Sequence, residues 1–296
     1  SWNFGIKYIS EETVNTSTIT NYFNISYDLP TYTYINRIVG TWQTDYDNLT
    51  LKEDLLSEDS LLLKSFELNV LNSTLSLALV HNTVNNLQFP FKGNFQSYEF
   101  EESGLLSGLF EKVINSYTNS YFKFTNMNSF YFNLSNKDFN VPSALASKFY
   151  LGSIFEYGEN TFFFYDQEIS ADRVPSDERF VCGGSSSVRG WGARQLGIVK
   201  DKDLGGNFIF ESSVEHRLRP FLEANNVYFR DIGFATFIDV GNVWSDVSKF
   251  KLNEIAVAAG AGIRYYTIVG AIRLDLGFKI YDPQPGQVGG SNWLFG

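Results

Sequence analysis

Runs of about 9–13 residues alternate strictly between apolar and polar side chains. Their polar parity is rich in glycine, alanine and charge, and aromatics gather near the run ends. Together these three observations predict an all-β protein, a transmembrane antiparallel β-barrel. Soluble strands have a mode of about 5–6 residues, whereas a tilted membrane strand needs about 10.

The first two thirds of the chain carry the weaker pattern. Strand-like runs are Trp2–Ile9, Asn21–Leu29, Thr31–Trp42, Leu61–Asn69, Thr74–His81, Phe95–Glu101, Tyr117–Phe124, Phe130–Leu134, Lys148–Tyr157 and Thr161–Tyr165. Polar stretches separate them at Asp45–Ser60, Ser135–Ser143 and Gln167–Asp177, the first reading as an external loop. The last third is sharper. Asn207, Glu211, Ser213, Glu215, Arg217 and Arg219 share one parity against Phe208, Phe210, Val214 and Leu218. Next, Asp231, Gly233, Ala235, Phe237, Asp239 and Gly241 oppose Ile232, Phe234, Ile238 and Val240. Glu254, Ala256, Ala258, Gly260, Gly262 and Arg264 oppose Ile255, Val257, Ala259, Ala261, Ile263 and Tyr265. Finally Val269, Ala271, Arg273, Asp275, Gly277 and Lys279 oppose Ile268, Gly270, Ile272, Leu274, Leu276, Phe278 and Ile280. Periodicity alone fits a soluble sandwich with the apolar face inward as well as a barrel with that face toward lipid. Strand length, the small residues among the charges, and the terminal aromatics (Tyr265 and Tyr266, Tyr228 and Phe229, Tyr131 and Phe132) favour the barrel.

Composition removes several function classes. The 296 residues include 28 Phe, 17 Tyr and 24 Gly, with a net charge of −10, which opposes disorder and an electrostatic nucleic-acid binder. One cysteine, Cys182, excludes a disulfide framework and cysteine metal clusters, and two histidines supply metal sites and acid–base catalysis poorly. No cofactor or metal is expected. Cys182 reads as filling an ordinary small-residue position with no redox role, and His81 and His216 as surface or interfacial strand residues. No run approaches about 18 apolar residues, so a transmembrane helix is not predicted. Without linker, composition break or initiator Met, the reading is one domain, residues 1–296, of a processed or trimmed chain.

One segment breaks the strand pattern: Arg179-Phe180-Val181-Cys182-Gly183-Gly184-Ser185-Ser186-Ser187-Val188-Arg189-Gly190-Trp191. On spacing alone it is equally a flexible external loop with a solvated arginine. Gly183-Gly184 followed by Ser187-Val188-Arg189-Gly190-Trp191, however, resembles the signature loop of the BamA/TamA superfamily, the bacterial surface antigen barrels. Gly205-Gly206-Asn207 with Glu211, Glu215 and Arg217 is similar to that family's next strand, and Phe237-Ile238-Asp239-Val240-Gly241-Asn242-Val243-Trp244 to the one after. Gly260-Ala261-Gly262-Ile263-Arg264 and Ile272-Arg273-Leu274-Asp275 resemble its last two strands, and Phe89-Pro90-Phe91-Lys92-Gly93 with Gly104 an earlier turn and strand. The motifs run in family order over residues 89–296; residues 1–88 follow by position only.

The resemblance implies sixteen strands, a Gram-negative outer-membrane location, and a long extracellular loop folded into the lumen. Arg189 would then lie inside, where an unpaired guanidinium is costly. The family makes Asp239 its partner and Glu215 a second, and strand parity separately places Glu211, Glu215, Phe237, Asp239 and Gly241 on the polar face. Gly183, Gly184 and Gly190 would let the loop turn tightly. The family is thought to pair its first and last strands weakly, which here joins Trp2–Ile9, around Trp2 and Gly5, to Ser291–Gly296, around Trp293. Gly286, Gly289, Gly290 and Gly296 suit sparse pairing. The chain departs from the pattern in ending at Gly296 without a terminal aromatic, and in lacking the family's N-terminal periplasmic domains. Trp191, where Phe or Tyr is commoner, points to TamA-like members.

The leading functional expectation is a non-enzymatic factor that inserts or exports client proteins through the lateral seam. Its partners would be unfolded outer-membrane clients, the lipid bilayer, and periplasmic or lipoprotein accessory subunits, with no nucleic acid. The alternative is the anchor or translocator part of a larger protein, either a patatin-type lipase fusion or a two-partner secretion pore. No G-x-S-x-G nucleophile elbow occurs in this chain.

Overall fold

The structure is a computed structural model that describes residues 1–10, 14–30, 32–51, 67–86, 89–109, 118–135, 141–158, 161–164, 167–170, 173–200, 202, 204–267, 270–285 and 293–295. It is all-β. The strands are β1 (Trp2–Ser10), β2 (Val14–Asp28), β3 (Arg37–Leu51), β4 (Glu67–Asn82), β5 (Gly93–Ser103), β6 (Tyr121–Asn133) and β7 (Ser143–Glu156). Then come β8 (Thr161–Phe164), β9 (Gln167–Ser170), β10 (Phe208–Leu218), β11 (Ile232–Trp244), β12 (Ala256–Thr267), β13 (Gly270–Tyr281) and β14 (Trp293–Phe295). Twelve of them form one sheet in chain order, from which only β8 and β9 are set apart as a hairpin. Among the described residues no helix is long and apolar enough to cross a membrane.

The chain clusters into two compact units. The first gathers residues 1–79, 99–124 and 155–175; the second gathers 80–98, 125–154 and 176–296. In the first unit, β2 and β3 pair in unbroken antiparallel register from Val14↔Leu51 to Asp28↔Arg37, and β1 adds Trp2↔Phe23 through Ser10↔Asn15. Every second residue of β2 from Phe23 to Tyr27 is an exposed large hydrophobe. Arg173, buried beyond β9, donates from Nη1 to the Thr118 carbonyl at 2.6 Å and ties the start of the following connection to this unit.

In the second unit the alternation is inside out. Along β11, Phe234 and Ile238 are 39% and 55% exposed, while Ala235, Phe237 and Asp239 are at most 3% exposed. Ile263, Ile272 and Leu274 are likewise exposed, and Glu211, Glu215, Arg264 and Asp275 are buried. Water would not select that arrangement, because it leaves the apolar parity uncovered and hides the charges. A lipid exterior selects it, and this separates the two readings that periodicity left open. Ile255, Val257 and Leu276 share the outer parity but are half-buried.

Several local expectations are corrected. Thr31–Trp42 is not one strand: Leu29 N donates to Asn36 O at 2.9 Å and Thr33 N to Pro30 O at 3.0 Å, so a turn set by Pro30 precedes β3. Thr31 itself, residues 52–60 of the expected polar loop, and residues 61–66 and 117 of two expected strands lie outside the described residues. Asp45–Leu51 is strand, not loop, because β2 offers it a continuous ladder out to Val14. Tyr121–Phe124 and Phe130–Asn133 belong to the single thirteen-residue β6, Leu134 lies beyond its end, and Gln167–Ser170 is strand β9. Sixteen strands are not reached among the described residues. Strands β2, β3 and β4 run 15, 15 and 16 residues.

Candidate functional site

The connection from β7 to β10 supplies the site, and its segment from Ser176 onward belongs to the second unit with β10–β13. Its shoulders are fixed first. Phe180 bridges to Gly206, Cys182 to Leu196, and Ile198 to Trp244 at the end of β11. Trp244 is fully buried and its ring packs against Phe208 and Phe250. Phe208 is therefore covered by neighbouring aromatics although its parity is the outer one. Between the shoulders the chain turns at Gly183 and Gly184, with φ of 100° and 105°, a region open to glycine at little strain. Gly184 N donates to Trp191 O at 2.9 Å and closes the loop on itself.

That turn delivers Arg189 to the polar face of the sheet. Nε and Nη2 donate to Asp239 Oδ2 and Oδ1 at 2.8 and 2.9 Å, a bidentate fork, and the Arg189 backbone N adds 3.0 Å to Oδ2. Nη1 donates to Glu215 Oε2 at 2.6 Å and to Asp275 Oδ2 at 3.3 Å. The guanidinium carbon Cζ sits over the Phe237 ring, 3.4 Å from its centroid. Arg264 donates to both oxygens of Asp275 and to Glu215, and Arg217 Nε donates to Glu215 at 2.8 Å. Three guanidinium groups thus face three carboxylates in one cluster. Burial opposes the charge on Arg189, but Asp239 and Glu215 outweigh it and hold its pKa above the ordinary arginine value.

The remaining expected residues fall as follows. Glu211 meets the loop through Ser187, whose hydroxyl donates to Oε1 and accepts from Gly183 N at 2.9 Å. Val188 and Trp191 are each 1% exposed, and Lys279 Nζ sits 5.2 Å from the Trp191 ring. Gly241 is the cross-strand partner of Glu211, and a Cβ there would meet Glu211 Cγ at 3.1 Å. Gly5 and Trp2 lie on β1 and Trp293 on β14, and each of these strands has one neighbour, β2 and β13, among the described residues. Gly286, Gly289, Gly290, Ser291 and Gly296 lie outside the described residues. Asp275, Arg264 and Ser213 complete the cluster, with Ser213 Oγ donating to Asp239 at 2.6 Å. They share the polar parity of their strands, so the signal was present, but parity does not say which polar residues converge. Tyr266 is buried under Arg219 and Phe89 instead of joining an interfacial girdle.

The Omp85 superfamily domain matches residues 1–296. The chain belongs to the Omp85 superfamily. Its barrel class and its place in the Gram-negative outer membrane follow, whereas the TamA-like preference is not resolved. Among solved structures it is similar to BamA from Haemophilus ducreyi lacking POTRA domains 1–3, with 16% identity and a TM-score of 0.63, over 95% of this chain and 54% of that one. It is also similar to CdiB from Acinetobacter baumannii, with 12% identity and a TM-score of 0.56, over 95% of this chain and 41% of that one. This Omp85 chain therefore spans about half the length of the structures it matches. At such identities the likeness is one of fold.

Cys182 offers a reporter for the docked loop of this Omp85 chain. It is fully buried, 3.5 Å from Ser187 Oγ, and burial followed by the Glu211 charge pushes its thiol well above the ordinary range. Little thiolate is then present at neutral pH, so a maleimide should leave folded protein unmodified and react after denaturation. Rapid labelling of the folded form, read by mass spectrometry, would place the loop off the sheet.

Proposed function

We propose that this chain is the membrane part of a non-enzymatic outer-membrane machine that inserts or exports client proteins through a lateral seam between its first and last strands. The observation that carries this reading is the end of the sheet. The first strand, β1, pairs with β2 and the last, β14, pairs with β13 through Leu276↔Phe295, Gly277↔Leu294 and Phe278↔Trp293, so among the described residues the first and last strands stand at the two ends of the sheet, each with one neighbour. A strand edge left open presents N–H and C=O groups that lipid cannot satisfy, and an incoming client strand can. Pairing would template the client by β-augmentation, and burial of its apolar face in lipid would drive the exchange without a nucleotide. Unfolded outer-membrane proteins are the clients this chemistry fits, with periplasmic or lipoprotein subunits delivering them.

A second reading, export through the interior, is favoured by a polar cavity of ≈ 140 Å³ beside the loop tip, lined by Lys148, Ser185, Glu211, Arg217 and Arg273. One experiment separates the two. With Gly5→Cys and Trp293→Cys in the same chain, the seam reading expects a crosslink that stops client insertion while the barrel still migrates as folded. Full activity of the locked protein would leave the interior route. Absence of any crosslink would end the seam.

A further inference from the structure

The loop tip is held by charges, but its backbone lies on a part of the sheet that has no side chains. Gly260 on β12 and Gly277 on β13 are direct cross-strand partners, flanked by Ala258↔Lys279 and Gly262↔Asp275. On its other side Gly260 is the partner of Phe237 on β11. A Cβ on Gly277 would sit 2.3 Å from the Arg189 carbonyl oxygen and 3.0 Å from Gly190 N. One on Gly260 would sit 2.4 Å from Phe237 Cζ. From the loop side, Gly190 has φ of 153°, and a Cβ there would come within 3.1 Å of Ala258 Cβ. Paired glycines inside two strands weaken both, and such positions mark a close approach of another backbone.

We propose that Gly260 and Gly277 form a docking groove that seats the loop backbone and the Phe237 ring, and that this groove fixes where along the sheet the loop is held. The physical reason is the range of the forces. Attraction between three cations and three carboxylates changes slowly with position and fits several loop placements. Steric contact rises steeply, so only the backbone of Arg189 and Gly190 laid over Gly277 fits the trough. The effect passes along a chain of contacts. Gly260 leaves the space that the Phe237 ring occupies, the ring carries the guanidinium over it, and the guanidinium so placed reaches both oxygens of Asp239. These are positioning residues, and their role does not depend on how clients are handled.

The test is Gly277→Ala in the whole chain folded into bilayers, read by maleimide labelling of Cys182 and by migration of the folded form. Overpacking a seat of this kind should raise the labelling rate about 10-fold or more while the folded form persists. Added to Arg189→Ala it should bring no further increase, because the loop is released only once. Gly40→Ala, where a Cβ would meet nothing within 4 Å, should leave labelling unchanged. The groove is refuted if Cys182 stays protected in Gly277→Ala, or if the two substitutions add in full. Should Gly277→Ala fail to fold, Gly260→Ala makes the test from β12, at a glycine whose φ is not in the left-handed region: release supports the groove, and continued protection overturns it.

Discussion

Arg189→Ala is expected to destabilise the folded barrel by about 3–5 kcal/mol, the usual penalty for removing one partner from a buried charge cluster. The side chain makes five of the cluster's bonds to Asp239, Glu215, Asp275 and Ser213 while only 7% exposed. Its loss leaves Glu215 and Asp275 to Arg217 and Arg264, and takes from Asp239 its ion-pair partner among the described residues. Asp239→Ala should do less harm, since Glu215 and Asp275 still hold the guanidinium. Combining the two restores equal numbers of positive and negative groups, so the double variant should be no worse than Arg189→Ala. Arg189→Lys keeps the charge but gives up the fork on Asp239 and the guanidinium contact with the Phe237 ring, and should fall between wild type and alanine. Denaturant titration from bilayers, with Cys182 labelling in parallel, measures all four. Fully additive single effects would show that the two residues act independently and that their pairing does not hold the loop.

Leu274→Arg should cost about 2–4 kcal/mol if the site lies near the bilayer midplane. Leu274 is 57% exposed, faces its cross-strand partner Ile263, which is 49% exposed, and follows Ile272, which is 65% exposed. Its chain neighbours Arg273 and Asp275 point to the other face, so arginine is tolerated one residue away and expensive here. Folding into bilayers, titrated with denaturant, gives the difference directly. No effect, in a protein that stays dispersed without detergent, would remove lipid from the outer face.

Much of the sheet was written in the sequence because strand alternation is local. In β10 to β13 each residue's face follows from its parity, and Glu211, Glu215, Asp239, Arg264 and Asp275 all sit where parity puts them. Strand limits were less legible wherever pairing, not composition, decided them. Asp45–Leu51 looks like loop by its acids but is strand because β2 lies beside it. Tyr32–Asn36 looks like strand by its aromatics but belongs to the turn that follows Pro30.

The sequence by itself determined which residues could meet: a glycine-rich segment carrying Arg189, and acids on one parity of the strands that follow. Only the tertiary structure decided which way that parity points and which acids converge. Alternation is symmetric between lipid outside and water outside, and the exposure of Ile238 beside the burial of Asp239 breaks the symmetry. Convergence depends on register between strands, a long-range property. It brings Asp275 and Arg264 into the Arg189 cluster, turns Gly241 toward Glu211, and sets Gly260 opposite Gly277 beneath the loop backbone.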